Sequence, residues 1–103
     1  MRRIVYAQSA LSDLIAMESW IAEQGAPRTA AAYVERLQDR IATLAQVPLR
    51  GLDRGDLLPG LRIMPFEASA TIAFSVDDGA VVILRVFYRG RDWEKDFEEG
   101  ETP

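Results

Sequence analysis

The sequence predicts one α+β domain of the order β-α-α-β-β-β, in which a helix hairpin packs on a small antiparallel sheet and a short helix follows. Two segments with apolar residues at helical spacing come first, and three runs rich in β-branched and aromatic residues come after them. The chain has 103 residues, the length of a single domain. We therefore assign residues 1–97 to one domain and residues 98–103 to an acidic, flexible tail.

The first half of the chain predicts a strand and two helices. Residues 2–6 form a short β-branched and aromatic run that is typical of a strand. Ser9 is the expected N-cap of a helix over residues 9–25, and Pro27 suits the first turn of a second helix over residues 27–47. Helices joined by so short a turn form an antiparallel hairpin. The apolar stripe of the second helix predicts its core residues, which are Ala30, Val34, Leu37, Ile41 and Leu44.

The second half of the chain predicts a loop and three strands. Residues 48–60 are rich in proline and glycine and are expected to form a loop. Residues 61–66, 71–76 and 80–88 are the strand candidates, and residues 91–99 are a candidate short helix. Strict alternation in the last strand predicts one face made of Val82, Leu84, Val86 and Tyr88, and another made of Val81, Ile83, Arg85 and Phe87.

Cysteine and histidine are both absent from the chain. Disulfides are therefore excluded, as are catalytic sites that need a cysteine or histidine. The usual ligands of zinc are missing as well, which leaves open only a site of carboxylates for a hard cation. We expect neither a metal site nor a cofactor. No apolar run approaches the length of a membrane span or of a signal peptide, so the protein is expected to be cytoplasmic.

Acidic residues are concentrated near the C-terminus. Residues 1–91 carry 11 arginines and 10 acidic residues, whereas residues 92–103 carry six acidic residues and one lysine. A nucleic-acid binder usually has a strong basic excess, because contacts to phosphates dominate its affinity. The charge balance therefore argues against general nucleic-acid binding. The acidic end has two interpretations, a solvated terminus or an arm that shields a basic patch.

Arginines and tryptophans are the candidate binding residues. Arg85 interrupts an apolar run, and a buried charge is costly unless it is paired. For Arg85, and equally for Arg62, the structural alternative is a side chain that reaches solvent or pairs with a carboxylate such as Glu67 or Asp92. Trp20 fits either the edge of the core or the anchor of an interface. The paired aspartates of the predicted loops lie beside glycines and are typical of turns.

The order and spacing of several motifs resemble the ParE/RelE superfamily of toxins from type II toxin–antitoxin systems. The resemblance extends over roughly residues 2–97 and is greatest to the ParE branch. Its closing segment is similar to the family's last strand, although Tyr88 stands where many relatives carry histidine. The stretches that carry the resemblance are residues 13–15, 20–22, 30–34, 59–65 and 82–92.

The resemblance implies a toxin that inhibits DNA gyrase by binding, with no enzymatic activity and a role in plasmid stabilization. It also implies a ParD-like antitoxin as partner, which would contact DNA on behalf of the complex. We expect antitoxin contacts at Trp20 and Met17. The expected target-binding surface is the C-terminal strand and its exit, with the candidates Arg62, Arg85, Tyr88, Arg89, Arg91 and Trp93.

Two other functions remain open from the sequence. RelE-type toxins resemble the same pattern but cleave messenger RNA on the ribosome, using basic residues and a tyrosine or histidine near the C-terminus. Arg91 matches one such basic position, but Phe97 falls where a tyrosine is expected and has no hydroxyl for proton transfer. The second alternative is an interaction module of ParE type with another target.

Overall fold

The computed structural model describes residues 2–89 and 93–98, and the predicted order of strands and helices is confirmed in it. A short 3-10 turn, Thr43–Ala45, extends the second helix. The elements are β1 (Arg3–Tyr6), α1 (Gln8–Glu23), α2 (Pro27–Ala42), β2 (Leu52–Asp53), β3 (Leu61–Phe66), β4 (Ala70–Val76), β5 (Ala80–Tyr88) and α3 (Trp93–Glu98).

The sheet has five strands in the order β1-β5-β4-β3-β2. β5 pairs in parallel with β1, and the other neighbouring strands are antiparallel. β1 reaches only the first half of β5, from Ala80 to Ile83. Among the described residues, no strand therefore lies beside this edge of the second half of β5, and α1 packs along it.

The helix hairpin covers one face of the sheet, as its apolar stripes predict. Leu37, Ile41 and Leu44 are fully buried, and they pack with Ile72 and Phe74 of β4. α1 contributes a second row to the same core, made of Ala10, Leu14, Met17 and Ile21. Burial of these apolar side chains is the main force that holds the hairpin on the sheet.

A β-bulge in β5 makes the predicted alternation of that strand wrong. Ala73 pairs with Arg85 and the next residue, Phe74, pairs with Ile83, so Leu84 is the extra residue of β5. One inserted residue exchanges the two faces for everything that follows it. Consequently Val86 packs in the helix-side core together with Val81 and Ile83, whereas Phe87 lies in the cluster on the opposite face.

The boundaries of the helices differ from the prediction in two places. α1 begins at Gln8 after Ala7, without a side-chain cap, so the expected cap at Ser9 is wrong. Ala7 is the N-cap residue, and its carbonyl accepts the first hydrogen bond of the helix from the amide of Leu11. α2 ends at Ala42, and the 3-10 turn covers part of the remaining predicted length.

The predicted loop over residues 48–60 contains the short edge strand β2. Leu52 and Asp53 pair with β3. Gly51 permits this approach, because its φ is +86° and an added Cβ would lie 2.4 Å from the carbonyl oxygen of Ile63. Two residues are too short a run to show a strand period, so no sequence pattern reveals β2.

The opposite face of the sheet is covered by α3 and by Leu57 and Leu58 of the loop before β3. Phe97 is buried there and contacts Phe87 edge-on at 6.1 Å between ring centroids. Arg54 fastens α3, since it bonds Asp56 at 2.9 Å and Glu94 at 2.8 Å, and its guanidinium lies 5.3 Å from the Trp93 ring centroid. Trp93 thus packs against this cluster.

Candidate functional site

Trp20, Tyr88 and Arg89 meet at the C-terminal end of β5, and we call these three residues the arginine–tryptophan patch. The rings of Trp20 and Tyr88 pack edge-on with centroids 5.8 Å apart. The guanidinium carbon of Arg89 lies 5.0 Å from the Trp20 centroid and 5.8 Å from the Tyr88 centroid. Trp20 is 40% exposed and Arg89 is exposed, so the patch is open to a partner.

Aromatic contacts continue from the patch into the protein. Tyr33 of α2 packs edge-on against Tyr88 at 5.6 Å and against Phe66 at 5.5 Å. Its hydroxyl shares a hydrogen bond of 2.7 Å with the hydroxyl of Ser69. Burial raises the pKa of the Tyr33 hydroxyl, so this group stays protonated at neutral pH. The row of rings gives the patch a rigid base.

The connection between β3 and β4 lies beside this row in a strained conformation. Glu67 and Ala68 have φ values of 50° and 57°, in the left-handed region that favours glycine. Arg36 of α2 binds the Glu67 carboxylate through two hydrogen bonds of 2.9 and 3.0 Å. This contact lowers the pKa of Glu67. Ion pair and hydroxyl bond together hold the connection against α2.

Arg89 joins the end of β5 to the same connection. Its backbone amide donates to the carbonyl of Ser69 at 2.9 Å, and its φ is 57°. The left-handed conformation turns the chain immediately after Tyr88. Backbone strain of this kind is often found where a side chain must be held in one direction. Here the residue at the turn is Arg89 itself, whose side chain is exposed.

Asp13 of α1 closes the open edge of β5. Its carboxylate accepts from Nε of Arg85 at 2.7 Å, from Nη2 of Arg85 at 3.0 Å and from the backbone amide of Val86 at 2.9 Å. Both side chains are largely buried, with 16% and 12% exposed. Arg85 is therefore an internal tie between α1 and β5. The structure pairs it with Asp13, whereas the expected partner Glu67 is bound by Arg36. The other expected partner, Asp92, lies outside the described residues.

Two concave surfaces flank the patch. A groove of about 180 Å³ lies between α1 and β5, and Asp13 stands at its polar wall. Its other lining residues are Ala16, Met17, Trp20, Val86 and Tyr88. A second cleft of about 300 Å³ lies on the other side, between the β3–β4 connection and Trp93. Within the described residues, no group of three or more acidic side chains is placed to hold a metal ion.

A comparison with models of protein families shows to which family the chain belongs. A model described as the ParE toxin of type II toxin–antitoxin systems, parDE, matches residues 4–93. The match spans most of the 103 residues. The chain belongs to the ParE toxin family. No curated protein matches the sequence.

Two solved structures share the fold of this ParE-family chain. One is a chain of the chromosomal ParDE toxin–antitoxin system from P. aeruginosa, with a TM-score of 0.75 and 24% identity over 86% of this chain and 97% of that one. The other is a chain of the RelBE2 toxin–antitoxin complex from Mycobacterium tuberculosis. It has a TM-score of 0.57 and 27% identity over 85% of this chain and 98% of that one.

The structure of this ParE-family chain separates the predicted target-binding residues. Tyr88 and Arg89 lie in the patch, whereas Arg62 lies elsewhere and donates to the backbone carbonyls of Leu49, Arg50 and Gly51 at 2.9 to 3.3 Å. Arg62 thus ties a loop to β3. It does not pair with Glu67, which binds Arg36, and Asp92 lies outside the described residues. Trp93 is half-buried beside the second cleft. Arg91 lies outside the described residues.

The predicted antitoxin contacts fall beside the predicted target contacts. Trp20 stacks on Tyr88 and Arg89, so one patch unites residues that the sequence assigned to two surfaces. Met17 is only 3% exposed and lines the floor of the groove from the core. The sequence missed Asp13 and Arg36, because their role depends on partners 72 and 31 residues away. None of the described helices is long and apolar enough to cross a membrane.

Proposed function

We propose that this ParE-family toxin inhibits DNA gyrase in the cytoplasm by binding it, and that a ParD-like antitoxin neutralises the toxin. The family match over residues 4–93 carries the proposal. Both similar solved structures are named as toxin–antitoxin systems, which supports an antitoxin partner for this chain. The proposed mechanism is binding alone, in which the toxin holds one conformation of its target better than the others.

The arginine–tryptophan patch is the proposed target-binding surface. Tryptophan, tyrosine and arginine are the residue types that dominate binding hot spots, because they combine a large contact area with directional hydrogen bonds. Trp20 and Arg89 are exposed, while Tyr88 is half-buried and fixed by its ring contacts. Arg91, which lies outside the described residues, remains a candidate for this surface from the sequence alone. Arg85 supports it from within through Asp13.

The chemistry of the C-terminal helix favours binding over RNA cleavage. Phe97 stands where resemblance to RelE-type toxins expects a tyrosine, and it is 4% exposed on the far side of the sheet. A buried phenyl ring transfers no proton and stabilises no developing charge on phosphate. This observation supports a toxin that acts as a ligand of its target. Ribosome-dependent cleavage is therefore the alternative that the functional test must examine.

The test compares supercoiling by purified gyrase with translation in a purified system. The wild-type toxin is expected to inhibit supercoiling and to leave messenger RNA intact. The double variant Arg89→Ala/Arg91→Ala should lose most of the inhibition, because it removes the exposed cation of Arg89 together with the charge of Arg91, two residues further along the chain. The matched control is Arg3→Ala/Arg28→Ala, which removes the same charge from exposed positions on β1 and α2.

Three results would contradict this assignment. Full inhibition by the Arg89→Ala/Arg91→Ala variant would move the target-binding surface elsewhere. An equal loss of inhibition in the Arg3→Ala/Arg28→Ala control would mean that the change of net charge alone explains the effect. Cleavage of messenger RNA on ribosomes by the wild-type toxin, lost in the double variant, would establish the nuclease activity instead.

A further inference from the structure

The guanidinium of Arg89 lies over an aromatic ring and has its hydrogen-bond donors available. Its carbon atom is 5.0 Å from the centroid of the Trp20 ring. In the part of the chain that the structure describes, no carboxylate lies within ion-pair distance of it and no acceptor takes a hydrogen bond from it. Arg36, Arg54 and Arg85, by contrast, each bind a carboxylate. Stacking on an indole orients a guanidinium for a bidentate contact to an anion.

The charges around Arg89 favour a carboxylate of a peptide over a nucleic-acid backbone. α1, which supplies Trp20, carries three acidic residues and no basic residue: Asp13, Glu18 and Glu23. A polyanion laid along this helix would be repelled, whereas a single carboxylate would contact Arg89 alone. Residues 1–91 also carry only one more basic than acidic residue, which is far from the excess that binding to phosphates requires.

The groove beside the patch has room for one aliphatic side chain. Its volume of about 180 Å³ corresponds to that of about six water molecules in the liquid. Met17, Val86 and the ring of Trp20 supply apolar walls. The Asp13 carboxylate is already bound by Arg85 and by the amide of Val86, so no partner needs to satisfy it. An apolar side chain therefore fits the groove better than a polar one.

We infer that Arg89, Trp20 and the adjoining groove form a receptor for an acidic peptide segment in which a carboxylate residue adjoins an aliphatic one. The carboxylate binds Arg89 in bidentate fashion, and the aliphatic side chain fills the groove between α1 and β5. The inference rests on the part of the proposed function that assigns an antitoxin partner, because the antitoxin would contain such a segment. It does not depend on gyrase being the target.

The test uses Trp20 as its own reporter. The full chain has two tryptophans, so Trp93→Phe leaves Trp20 as the only one. The probe is a short capped peptide with one glutamate-leucine pair flanked by glycine and serine. Its titration should change Trp20 emission saturably, and the glutamine-leucine analogue should bind at least about tenfold more weakly, as expected for loss of a hydrogen bond to a charged group.

Variants separate the role of the guanidinium from that of the fold. Asparagine tolerates the left-handed backbone at position 89, so Arg89→Asn removes the guanidinium and keeps the turn. In the Trp93→Phe background, Arg89→Asn should lose at least about tenfold in affinity for the glutamate peptide. Arg28→Asn, at an exposed position of α2, should leave the affinity unchanged. Circular dichroism checks that each variant is folded.

Three outcomes would overturn the inference. No saturable change in Trp20 emission, or equal affinity for the glutamate and glutamine peptides, would remove the carboxylate receptor. Tighter binding of oligouridylate than of the glutamate peptide would make the patch a nucleic-acid surface. Failure of peptide binding together with intact gyrase inhibition would refute the receptor alone. The reverse result would refute the gyrase assignment and leave the receptor standing.

Discussion

Three residues with a Cβ occupy the left-handed backbone region next to the arginine–tryptophan patch: Glu67, Ala68 and Arg89. This conformation costs a residue with a side chain about 1–2 kcal/mol, so neighbouring contacts must maintain it. Arg36 holds Glu67, and the carbonyl of Ser69 accepts from the amide of Arg89. No sequence signal marks these turns, because neither glycine nor asparagine stands at any of the three positions. The turns therefore escaped the sequence analysis.

Ala68 provides the direct test of this strain. Ala68→Gly should raise the free energy of unfolding by about 1 kcal/mol, because glycine adopts φ 57° without a clash of its Cβ. Ala32→Gly is the matched control, since Ala32 is an exposed residue of α2. It should lower the stability by about 1 kcal/mol. Urea denaturation measures both, and a destabilised Ala68→Gly variant would show that the connection is not strained.

At the scale of elements, the helices were predicted best, β2 was not predicted, and β5 was predicted with the right bounds but the wrong faces. The apolar stripe of α2 has the helical period over four turns, and its members are buried as predicted. The bulge at Leu84 could not be predicted, because both faces of β5 are apolar and the sequence pattern therefore does not show where the alternation of faces shifts by one residue. Its consequence is large, since the bulge places Val86 beside the groove and Arg85 within reach of Asp13.

Leu37 tests the packing of the helix hairpin on the sheet. It is fully buried in the core, so Leu37→Ala should lower the free energy of unfolding by about 2–5 kcal/mol. Leu11→Ala is the matched control on α1, where the side chain is 40% exposed, and it should cost less than about 1 kcal/mol. Denaturant unfolding with both variants gives the comparison. A loss below about 0.5 kcal/mol for Leu37→Ala would place this residue outside the core.

At the scale of the whole molecule, the hairpin brings together residues that are far apart in the sequence. Trp20 and Tyr88 meet only because α1 packs along the open half of β5, which depends on the parallel pairing of a short β1. Sequence reasoning identified the residue types of the patch but assigned them to two surfaces. The sequence does not show the packing of α1 beside β5 that brings these residues together. The same limit explains Arg62 and Arg85, whose partners are set by tertiary contacts alone.

The ion pairs of the whole molecule predict its behaviour in acid. Hydrogen bonds from Arg36 and Arg54 lower the pKa values of Glu67 and Asp56 below their ordinary values of 4.5 and 3.8. A carboxylate whose pKa is lower in the folded state stabilises the fold above its unfolded pKa. This contribution is lost as the pH falls through the folded value. We therefore expect the free energy of unfolding to decrease as the pH falls below about 5.

The double variant Glu67→Gln/Asp56→Asn tests this origin of the acid sensitivity. It removes both titrating groups, so its free energy of unfolding should depend less on pH between about 5 and 3 than that of the wild type. Glu35→Gln/Asp39→Asn is the matched control, because it makes the same change of charge at exposed positions of α2 that form no ion pair with a described residue. Its pH profile should follow the wild type. Equally steep profiles in all three proteins would mean that carboxylates other than Glu67 and Asp56 control acid unfolding.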